Sequence, residues 1–215
     1  MMAGYFISVE GIDFTWKTPI TEWLQKDLSG DREVVLTRDP PYKLPPWNSY
    51  VEFFEKEKEI SHFAEAIILL AARIDNNERV IMPALKRGAL VIADRYLDSW
   101  FAYQSVRLAY YFQNDPNSSQ RFLFQLNEMM VNQGRIVLPD LTILISDDPL
   151  RAAQRKNEGK GISKYDPFKI QQLVHDRYQK LAEIFPDRIV AVDVRDKEID
   201  SAYNVILTII KKWLS

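Results

Sequence analysis

The residues best suited to chemistry lie near the start of the chain, where Gly11, Lys17 and Thr18 have the spacing of a phosphate-binding loop. A short apolar strand precedes them and a segment with helical periodicity follows. In the pattern G-x-x-x-x-G-K-[ST], backbone N–H groups and a helix N-terminus converge on phosphate oxygens, the lysine adds positive charge, and the hydroxyl binds Mg²⁺. We therefore expect this segment to bind nucleotide phosphates. The predicted loop consists of Gly11, Ile12, Asp13, Phe14, Thr15, Trp16, Lys17 and Thr18.

One position departs from the pattern, because Trp16 stands where the second glycine is expected. Glycine is normally required there because a side chain would project toward the bound phosphates. An indole could block the phosphate site, turn outward from a remodelled loop, or stack on a ligand. The first outcome would leave a protein that binds nucleotide poorly or not at all.

Charged side chains follow the next two predicted strands. Arg38 comes at the end of the second strand, and Asp94 and Arg95 follow a continuous apolar run. Because the carboxyl ends of parallel strands share one edge of a sheet, these side chains are expected beside the loop. Phosphoryl transfer needs a carboxylate for the metal and several cations around the transferred group. The pattern therefore predicts that Asp94 holds Mg²⁺, directly or through water, beside Thr18.

The elements that must position these residues alternate along the chain between short β-prone runs and helical periodicity. This alternation predicts an α/β fold, with a five-stranded parallel sheet covered by helices on both faces and ligands at the carboxyl ends of the strands. The 215 residues suit a single domain, 1–215. The predicted strands are Tyr5–Val9, Glu33–Thr37, Ala89–Ala93, Leu141–Ile145 and Arg188–Val192. The predicted helices are Thr18–Leu28, Ser49–Lys58, Ser61–Lys86 with a bend near Pro83, Asp98–Tyr111, Gln120–Gln133, Pro149–Asn157, Pro167–Phe185 and Lys197–Leu214.

Composition argues against several classes of protein. The formal net charge is −2 and there is no cysteine. We therefore expect neither nucleic-acid nor membrane-surface binding, and neither a disulfide nor a thiolate metal site. No segment reaches the roughly 18 apolar residues of a membrane span, and the first residues lack a signal-peptide pattern. A soluble, cytoplasmic protein is the expectation.

The order of these motifs resembles that of the thymidylate kinases, P-loop nucleoside-monophosphate kinases that transfer a phosphoryl group from MgATP to dTMP. The resemblance covers nearly the whole chain, and its most specific part is a run similar to the family's D-R-Y-x-x-S-x-x-A-Y-Q signature. A second motif resembles T-R-E-P, with Asp in place of Glu. The matching segments include Phe6–Thr18, Thr37-Arg38-Asp39-Pro40, Ala71-Ala72-Arg73, Asp94-Arg95-Tyr96 with Ser99 and Ala102-Tyr103-Gln104, Pro139–Thr142, Ala152–Arg155 and Arg177–Val190.

The resemblance implies a donor site for ATP and Mg²⁺. Lys17 and the loop amides would hold the ATP phosphates, Thr18 and Asp94 would hold the metal, and Arg155 would lie near adenine. A short lid at about 155–166 would close over the phosphates and exclude water. Because the loop has no arginine, the resemblance implies that a lid lysine supplies the catalytic cation. The candidates are Lys156, Lys160 and Lys164.

The resemblance also implies an acceptor site for dTMP. Arg38 and Arg95 would clamp the acceptor phosphate, since guanidinium groups pair bidentately with phosphate. Asp13 would meet the sugar 3′-hydroxyl, and Tyr103 would crowd the ribose 2′ position. Arg73 and Gln104 would face the base. The implied acceptor residues are Asp13, Arg38, Leu69, Arg73, Arg95, Ser99, Tyr103 and Gln104.

A second departure from the family concerns base recognition, because Leu69 stands where the family usually has an aromatic residue that stacks on thymine. Three functions stay open at this point. They are an active dTMP kinase with relaxed base selection, a catalytically impaired homologue that binds nucleotide, and a kinase for another nucleoside monophosphate. The family resemblance also implies a homodimer built from helices, in which core or dimer packing would use Tyr110, Tyr111, Phe112, Phe122 and Phe124.

Overall fold

The computed structural model describes residues 4–30, 32–50, 60–156 and 168–215, without the side chains of residues 155, 156 and 168. Its strands are β1 (Tyr5–Glu10), β2 (Val34–Arg38), β3 (Leu90–Asp94), β4 (Leu141–Ser146) and β5 (Ile189–Asp193). They form one parallel sheet in the order β2-β3-β1-β4-β5. The predicted five-stranded parallel sheet is confirmed, and each predicted strand lies within one residue of the observed one at either end.

Helices cover both faces of the sheet, as predicted. They are α1 (Lys17–Leu28), α2 (His62–Asn76), α3 (Met82–Lys86), α4 (Leu97–Leu108), α5 (Pro116–Asn132), α6 (Pro149–Lys156), α7 (Phe168–Ile184) and α8 (Ile199–Leu214). A 3₁₀ turn, Ala109–Phe112, continues from α4. One apolar core lies between the sheet and α2, α4, α5 and α7, and we call it the first core. The second core lies between the opposite face and helices α1 and α8.

Side chains of β1 alternate between these two cores. Phe6 packs in the first core, while Ile7 and Val9 pack in the second. This is the period of a strand buried on both faces. Ser8 and Glu10 share the face of Phe6, and both are fully buried. The central strand therefore carries polar groups toward the layer that contains α4 and α7.

The predicted long helix 61–86 is interrupted shortly before Pro83. A π-helical turn, Asn77–Ile81, separates α2 from α3, and the Met82 N–H donates to the Asn77 carbonyl five residues earlier. Proline cannot donate a backbone hydrogen bond and its ring crowds the preceding turn, so a wider turn accommodates it. The predicted bend is thus a change in helical winding just ahead of the proline.

Helix α5 begins four residues before the predicted start at Gln120, so the prediction was wrong at this boundary. The Asp115 carboxylate accepts hydrogen bonds from the backbone N–H groups of Asn117 and Ser118, and Pro116 occupies the first turn. Both features are favourable at a helix start. The predicted helix 49–58 lies mostly outside the described residues, of which 47–50 are helical. No helix in the described ranges is long and apolar enough to cross a membrane.

Candidate active site

The loop between β1 and α1 has the close packing expected of a phosphate cradle. Gly11 has φ +146°, and a Cβ atom there would lie 2.6 Å from the Ile145 carbonyl oxygen. The Thr15 hydroxyl donates to the Ile12 carbonyl at 2.9 Å, which folds the loop back on itself. Only glycine fits at position 11, because both the backbone angle and the space exclude a side chain.

Trp16 adopts a left-handed backbone conformation, with φ +59° and ψ +16°, where it caps α1. Glycine adopts these angles without strain, which explains why the pattern expects it here. The half-buried indole packs against the second core. This apolar contact favours the outcome in which the ring turns away from the phosphates rather than blocking them.

Lys17 is buried and its ammonium group bonds to the loop itself. Nζ donates to the Ile12 carbonyl at 2.5 Å and to the Thr15 hydroxyl at 3.2 Å. Burial lowers the pKa of Lys17 to about 7, and the nearby Arg95 charge acts in the same direction. A phosphate in the cradle would bring negative charge to this group and favour its protonated form.

Asp94 contacts the predicted metal-binding hydroxyl and one of the predicted phosphate-binding arginines. The Thr18 hydroxyl donates to Asp94 Oδ2 at 2.7 Å, and Arg38 Nη1 lies 3.2 Å from the same oxygen. The other carboxylate oxygen, Oδ1, is buried without a hydrogen-bond partner among the described residues. Tyr42 lies beside this cluster, with the Arg38 guanidinium 4.7 Å from the centre of its ring.

This arrangement fits Mg²⁺, because that ion usually takes one or two protein oxygens and fills its remaining positions with phosphate and water. Asp94 Oδ1 is a buried anionic oxygen that still lacks a partner in the described part of the chain. The described residues contain no group of three or more His, Cys, Asp or Glu that could hold a metal alone. A metal shared with a nucleotide is therefore the form of site that these residues suit.

Arg95 is fixed by several partners around the loop. Nη1 donates to the Gly11 carbonyl at 2.9 Å and to the Ser99 hydroxyl at 3.2 Å, and Nη2 forms an ion pair with Asp13. Its guanidinium carbon lies 5.2 Å from the centre of the Tyr103 ring. The structure therefore brings together Asp13, Arg95, Ser99 and Tyr103, all predicted from the acceptor motifs.

Gln171 of α7 contacts this group, and sequence reasoning missed it. Its Oε1 accepts the Asp13 backbone N–H at 3.2 Å, and its Nε2 donates to Asp13 Oδ2 at 2.8 Å. The Tyr103 hydroxyl donates to the same Oε1 at 3.4 Å. Its amide thus holds one oxygen of the Asp13 carboxylate, while Arg95 holds the other. The signal in the sequence was a glutamine within the apolar face formed by Ile170 and Val174.

Tyr178 lies two turns after Gln171 on α7 and was matched only as part of a family segment. Its hydroxyl lies 2.7 Å from the Ser99 hydroxyl, donates to Glu10 Oε2 at 3.3 Å and accepts from Arg95 Nη1 at 3.5 Å. The same helix therefore contacts both ends of the Asp13–Arg95 pair. α7 forms a wall of the candidate site rather than a purely structural cover.

Glu10 is completely buried beneath this cluster. It accepts hydrogen bonds from the Tyr96 N–H at 2.8 Å and the Ser99 hydroxyl at 2.5 Å. Burial raises the pKa of Glu10 to about 7, and the negative charge of Asp98 adds to the effect. Asp98 itself is held by Arg188 through two contacts of 2.6 and 2.8 Å.

The predicted base-binding residues lie between α2 and α4. Arg73 is almost fully buried, and its Nε donates to Asp39 Oδ2 at 2.5 Å. Arg73 Nη1 and Gln104 Oε1 are buried without hydrogen-bond partners among the described residues. Leu69 lies one helical turn before Arg73 and packs against the first core. One buried donor and one buried acceptor therefore lie on the two helices that carry the predicted base-binding residues.

The predicted lid cations cannot be placed in the site. Lys160 and Lys164 lie outside the described residues, as do the side chains of Arg155 and Lys156.

The aromatic residues assigned to core or dimer packing divide into two groups. Tyr110 and Tyr111 are exposed, whereas Phe112, Phe122 and Phe124 pack against the first core.

The position of the Trp16 ring leads to a prediction for nucleotide binding. Replacing Trp16 with glycine should leave the ATP dissociation constant within about threefold, a change under 1 kcal/mol, because the indole rests on the second core. The variant should unfold at lower denaturant concentration since that contact is lost. Fluorescent-nucleotide titration and urea unfolding test both statements. A tenfold gain in ATP affinity would show instead that the ring obstructs the loop.

The burial of Glu10 leads to a prediction about pH. Its folded-state pKa of about 7 exceeds the ordinary value of 4.5, so the folded state holds a proton that the unfolded state releases between these pH values. This contribution to stability is complete below pH 4.5 and is lost as pH rises to 7. Glu10→Gln should therefore gain stability relative to wild type across this window, by at most about 1.4 kcal/mol per pH unit. Urea unfolding at several pH values measures the difference, and a pH-independent difference would contradict it.

Comparison of the whole sequence with known proteins identifies the family. A family model described as thymidylate kinase matches residues 9–206. A probable thymidylate kinase of Methanococcoides burtonii is 32% identical over 201 residues, which cover 93% of this chain and 94% of that protein. Another from Pyrococcus abyssi is 34% identical over 204 residues, covering 88% of each chain.

Solved structures show the same fold. The thymidylate kinase of Candida albicans superimposes with a TM-score of 0.77 at 23% identity, covering 98% of this chain and 92% of that one. The matched segment of the family model includes the loop, the signature around Asp94 and helix α7. The chain therefore belongs to the thymidylate kinase family, whose reaction is the phosphorylation of dTMP to dTDP.

Proposed function

We propose that this site transfers the γ-phosphoryl group of ATP to dTMP in the presence of Mg²⁺, giving ADP and dTDP. The observation that carries the proposal is the position of Asp94, which contacts Thr18 of the nucleotide loop and Arg38 of the acceptor motif through one oxygen. A donor and an acceptor phosphate bound by these residues would meet at the same carboxylate. That is the main requirement for phosphoryl transfer, which depends on positioning and charge neutralisation.

On the donor side, the ATP phosphates would replace the loop carbonyl as partner of Lys17. The ammonium group is already directed into the loop, where it lies 2.5 Å from the Ile12 oxygen. Thr18 and Asp94 would hold Mg²⁺, which neutralises phosphate charge when bound. The loop amides and the N-terminus of α1 add further positive potential. Nucleotide binding would thus favour the charged form of Lys17, which burial disfavours.

On the acceptor side, Arg38 and Arg95 would bind the phosphate of dTMP. Each guanidinium is already paired with a carboxylate, Asp94 or Asp13, and stacks on an aromatic ring. A phosphate oxygen of dTMP would attack the γ-phosphorus of ATP. At the same time, the bond between the γ-phosphorus and the β–γ bridging oxygen would break, and ADP would leave. Cations fixed before the reaction stabilise the developing charge without reorganisation.

The sugar and base would lie beyond this phosphate. Asp13 keeps acceptor capacity for a 3′-hydroxyl, because a carboxylate has about four lone-pair sites and only part of them is used by Arg95 and Gln171. The donor at Arg73 Nη1 and the acceptor at Gln104 Oε1 complement the keto O4 and the N3–H of thymine. Cytosine presents the opposite pattern at these positions. The site therefore suits a 4-keto pyrimidine.

Other parts of the assignment rest on the sequence alone. A catalytic lysine at 156, 160 or 164 in a lid at about 155–166, an adenine contact by Arg155, and a single domain over 1–215 stay predictions. The same holds for cytoplasmic location. The proposed homodimer gains support from two exposed aromatic residues. Tyr110 is 77% exposed and Tyr111 is 48% exposed.

A coupled assay for ADP tests the proposed reaction with a panel of nucleoside monophosphates. We expect turnover with dTMP and weaker turnover with dUMP. With dCMP, kcat/KM should fall at least about 30-fold, because two buried polar groups would each be left unpaired at about 1–3 kcal/mol. Lys17→Ala should lower kcat/KM for dTMP by about 10²–10³. Tight dTMP binding by calorimetry without turnover would instead indicate a non-catalytic homologue, and preference for another acceptor would indicate a different kinase.

The contact between Gln171 and Asp13 predicts a second kinetic effect. Gln171→Ala should reduce kcat/KM for dTMP by about tenfold or more, since hydrogen bonds to a charged group contribute about 1.5–3 kcal/mol. Gln172→Ala is a matched control on the same helix, because its exposed amide contacts only Asp176, at 3.2 Å, among the hydrogen bonds of the described residues. Equal activity of the two variants would show that Gln171 does not position the loop.

A further inference from the structure

Arg73 is a deeply buried cation, with only 1% of its surface accessible. A buried charge is tolerated when its pairing and hydrogen bonds are well made. One side of the guanidinium is satisfied by Asp39, while Nη1 has no partner in the described part of the chain. The direction of that free N–H group depends on whatever fixes the guanidinium plane.

Two aromatic rings lie against this guanidinium. Its central carbon is 5.0 Å from the centre of the Trp100 ring and 5.5 Å from the centre of the Tyr96 ring. Both distances are within the range of a cation–π contact, and tryptophan gives the strongest such contact. Trp100 is 3% exposed, so the contact is shielded from water.

Trp100 is itself anchored to the helix that carries Arg73. Its indole Nε1 donates to the Ala66 carbonyl of α2 at 3.0 Å, and Arg73 lies two turns further along α2. Gln104, whose Oε1 lacks a partner among the described residues, lies one turn after Trp100 on α4. The indole therefore sets the spacing between the helices that carry the donor and the acceptor.

We propose that Trp100 is a positioning residue for base selection, which acts by holding the Arg73 guanidinium so that Nη1 faces the base. This inference rests on the proposed dTMP kinase function. Guanidinium groups only donate hydrogen bonds. A fixed Arg73 can therefore donate to a keto oxygen at C4 of a pyrimidine, whereas an amino group at C4 offers it no acceptor. Leu69 offers no aromatic surface to stack on a base. Selection in this chain consequently depends on hydrogen-bond direction, and so on Trp100.

The test compares Trp100→Met, which keeps most of the volume without an aromatic face, with Trp100→Phe, which keeps a weaker face. Phe101→Met is the matched control, because Phe101 is equally buried on α4 and packs edge-on against Phe124 at 4.6 Å. Its ring also lies 5.6 Å from that of Trp100, but among the described residues the rings against the Arg73 guanidinium are those of Trp100 and Tyr96. For each protein, kcat and KM are measured with dTMP and dCMP, together with KM for ATP. Dissociation constants for dTMP are measured by calorimetry, and unfolding temperatures report stability.

We expect Trp100→Met to raise both KM and Kd for dTMP about tenfold, which corresponds to about 1.4 kcal/mol. The ratio of kcat/KM for dTMP to that for dCMP should also fall about tenfold. In the same variant, kcat for dTMP and KM for ATP should stay within about threefold of wild type. The ratio for Trp100→Phe should fall between those of wild type and Trp100→Met. Phe101→Met should lose stability while keeping the wild-type ratio. If Trp100→Met does not fold, a ratio for Trp100→Phe below wild type with unchanged KM for ATP supports the proposal.

An unchanged ratio in a folded Trp100 variant overturns the proposal, as does an equal loss in Phe101→Met. These outcomes differ from failure of the proposed function, which would appear as absence of dTMP turnover by the wild-type chain. Loss of stability alone cannot mimic the expected result, because it would not alter the relative use of two acceptors by the folded enzyme.

Discussion

The Asp94 carboxylate is the interaction on which the site depends. It ends the strand between β1 and β2, with Val9 paired to it on one side and Arg38 on the other. This parallel register places the loop after β1 and the cation at the end of β2 against one acidic group. A slip of one residue would turn Asp94 to the opposite face of the sheet and separate Thr18 from Arg38. The chemistry of the site therefore depends on strand pairing as much as on residue type.

Around this carboxylate, the protein fixes positive charge by pairing it before any substrate is present. Arg95 is held by Asp13, and Arg73 by Asp39, and each guanidinium also stacks on aromatic rings. Removing charges from water is costly, so each group needs several partners. Under the proposed function, this set of cations and donors would need little reorganisation when phosphate charge develops. α7 contributes to the same rigidity through Gln171 and Tyr178, which link it to both members of the Asp13–Arg95 pair.

Both departures from the family pattern find a physical explanation in the contacts of the chain. Trp16 takes the backbone angles of the missing glycine and places its ring against an apolar core, so the strain of about 1–3 kcal/mol for such a conformation is opposed by apolar burial. Leu69 removes an aromatic surface from the base region, while Trp100 lies on the guanidinium that would read the base. In this region the aromatic ring of Trp100 thus contacts the Arg73 guanidinium rather than a bound base.

The sequence by itself determined the strands, because buried parallel strands are continuous apolar runs, and it determined the loop and acceptor motifs, because their spacing is local. It placed the start of α5 too late, since the Asp115 cap and Pro116 resemble a loop when the helix is unseen. Only the tertiary structure brought Gln171, Tyr178 and Trp100 into contact with the predicted site residues. Their partners are distant in sequence, as Gln171 and Asp13 are separated by 158 positions. Such contacts depend on how the helices pack across the sheet, which local sequence patterns do not specify.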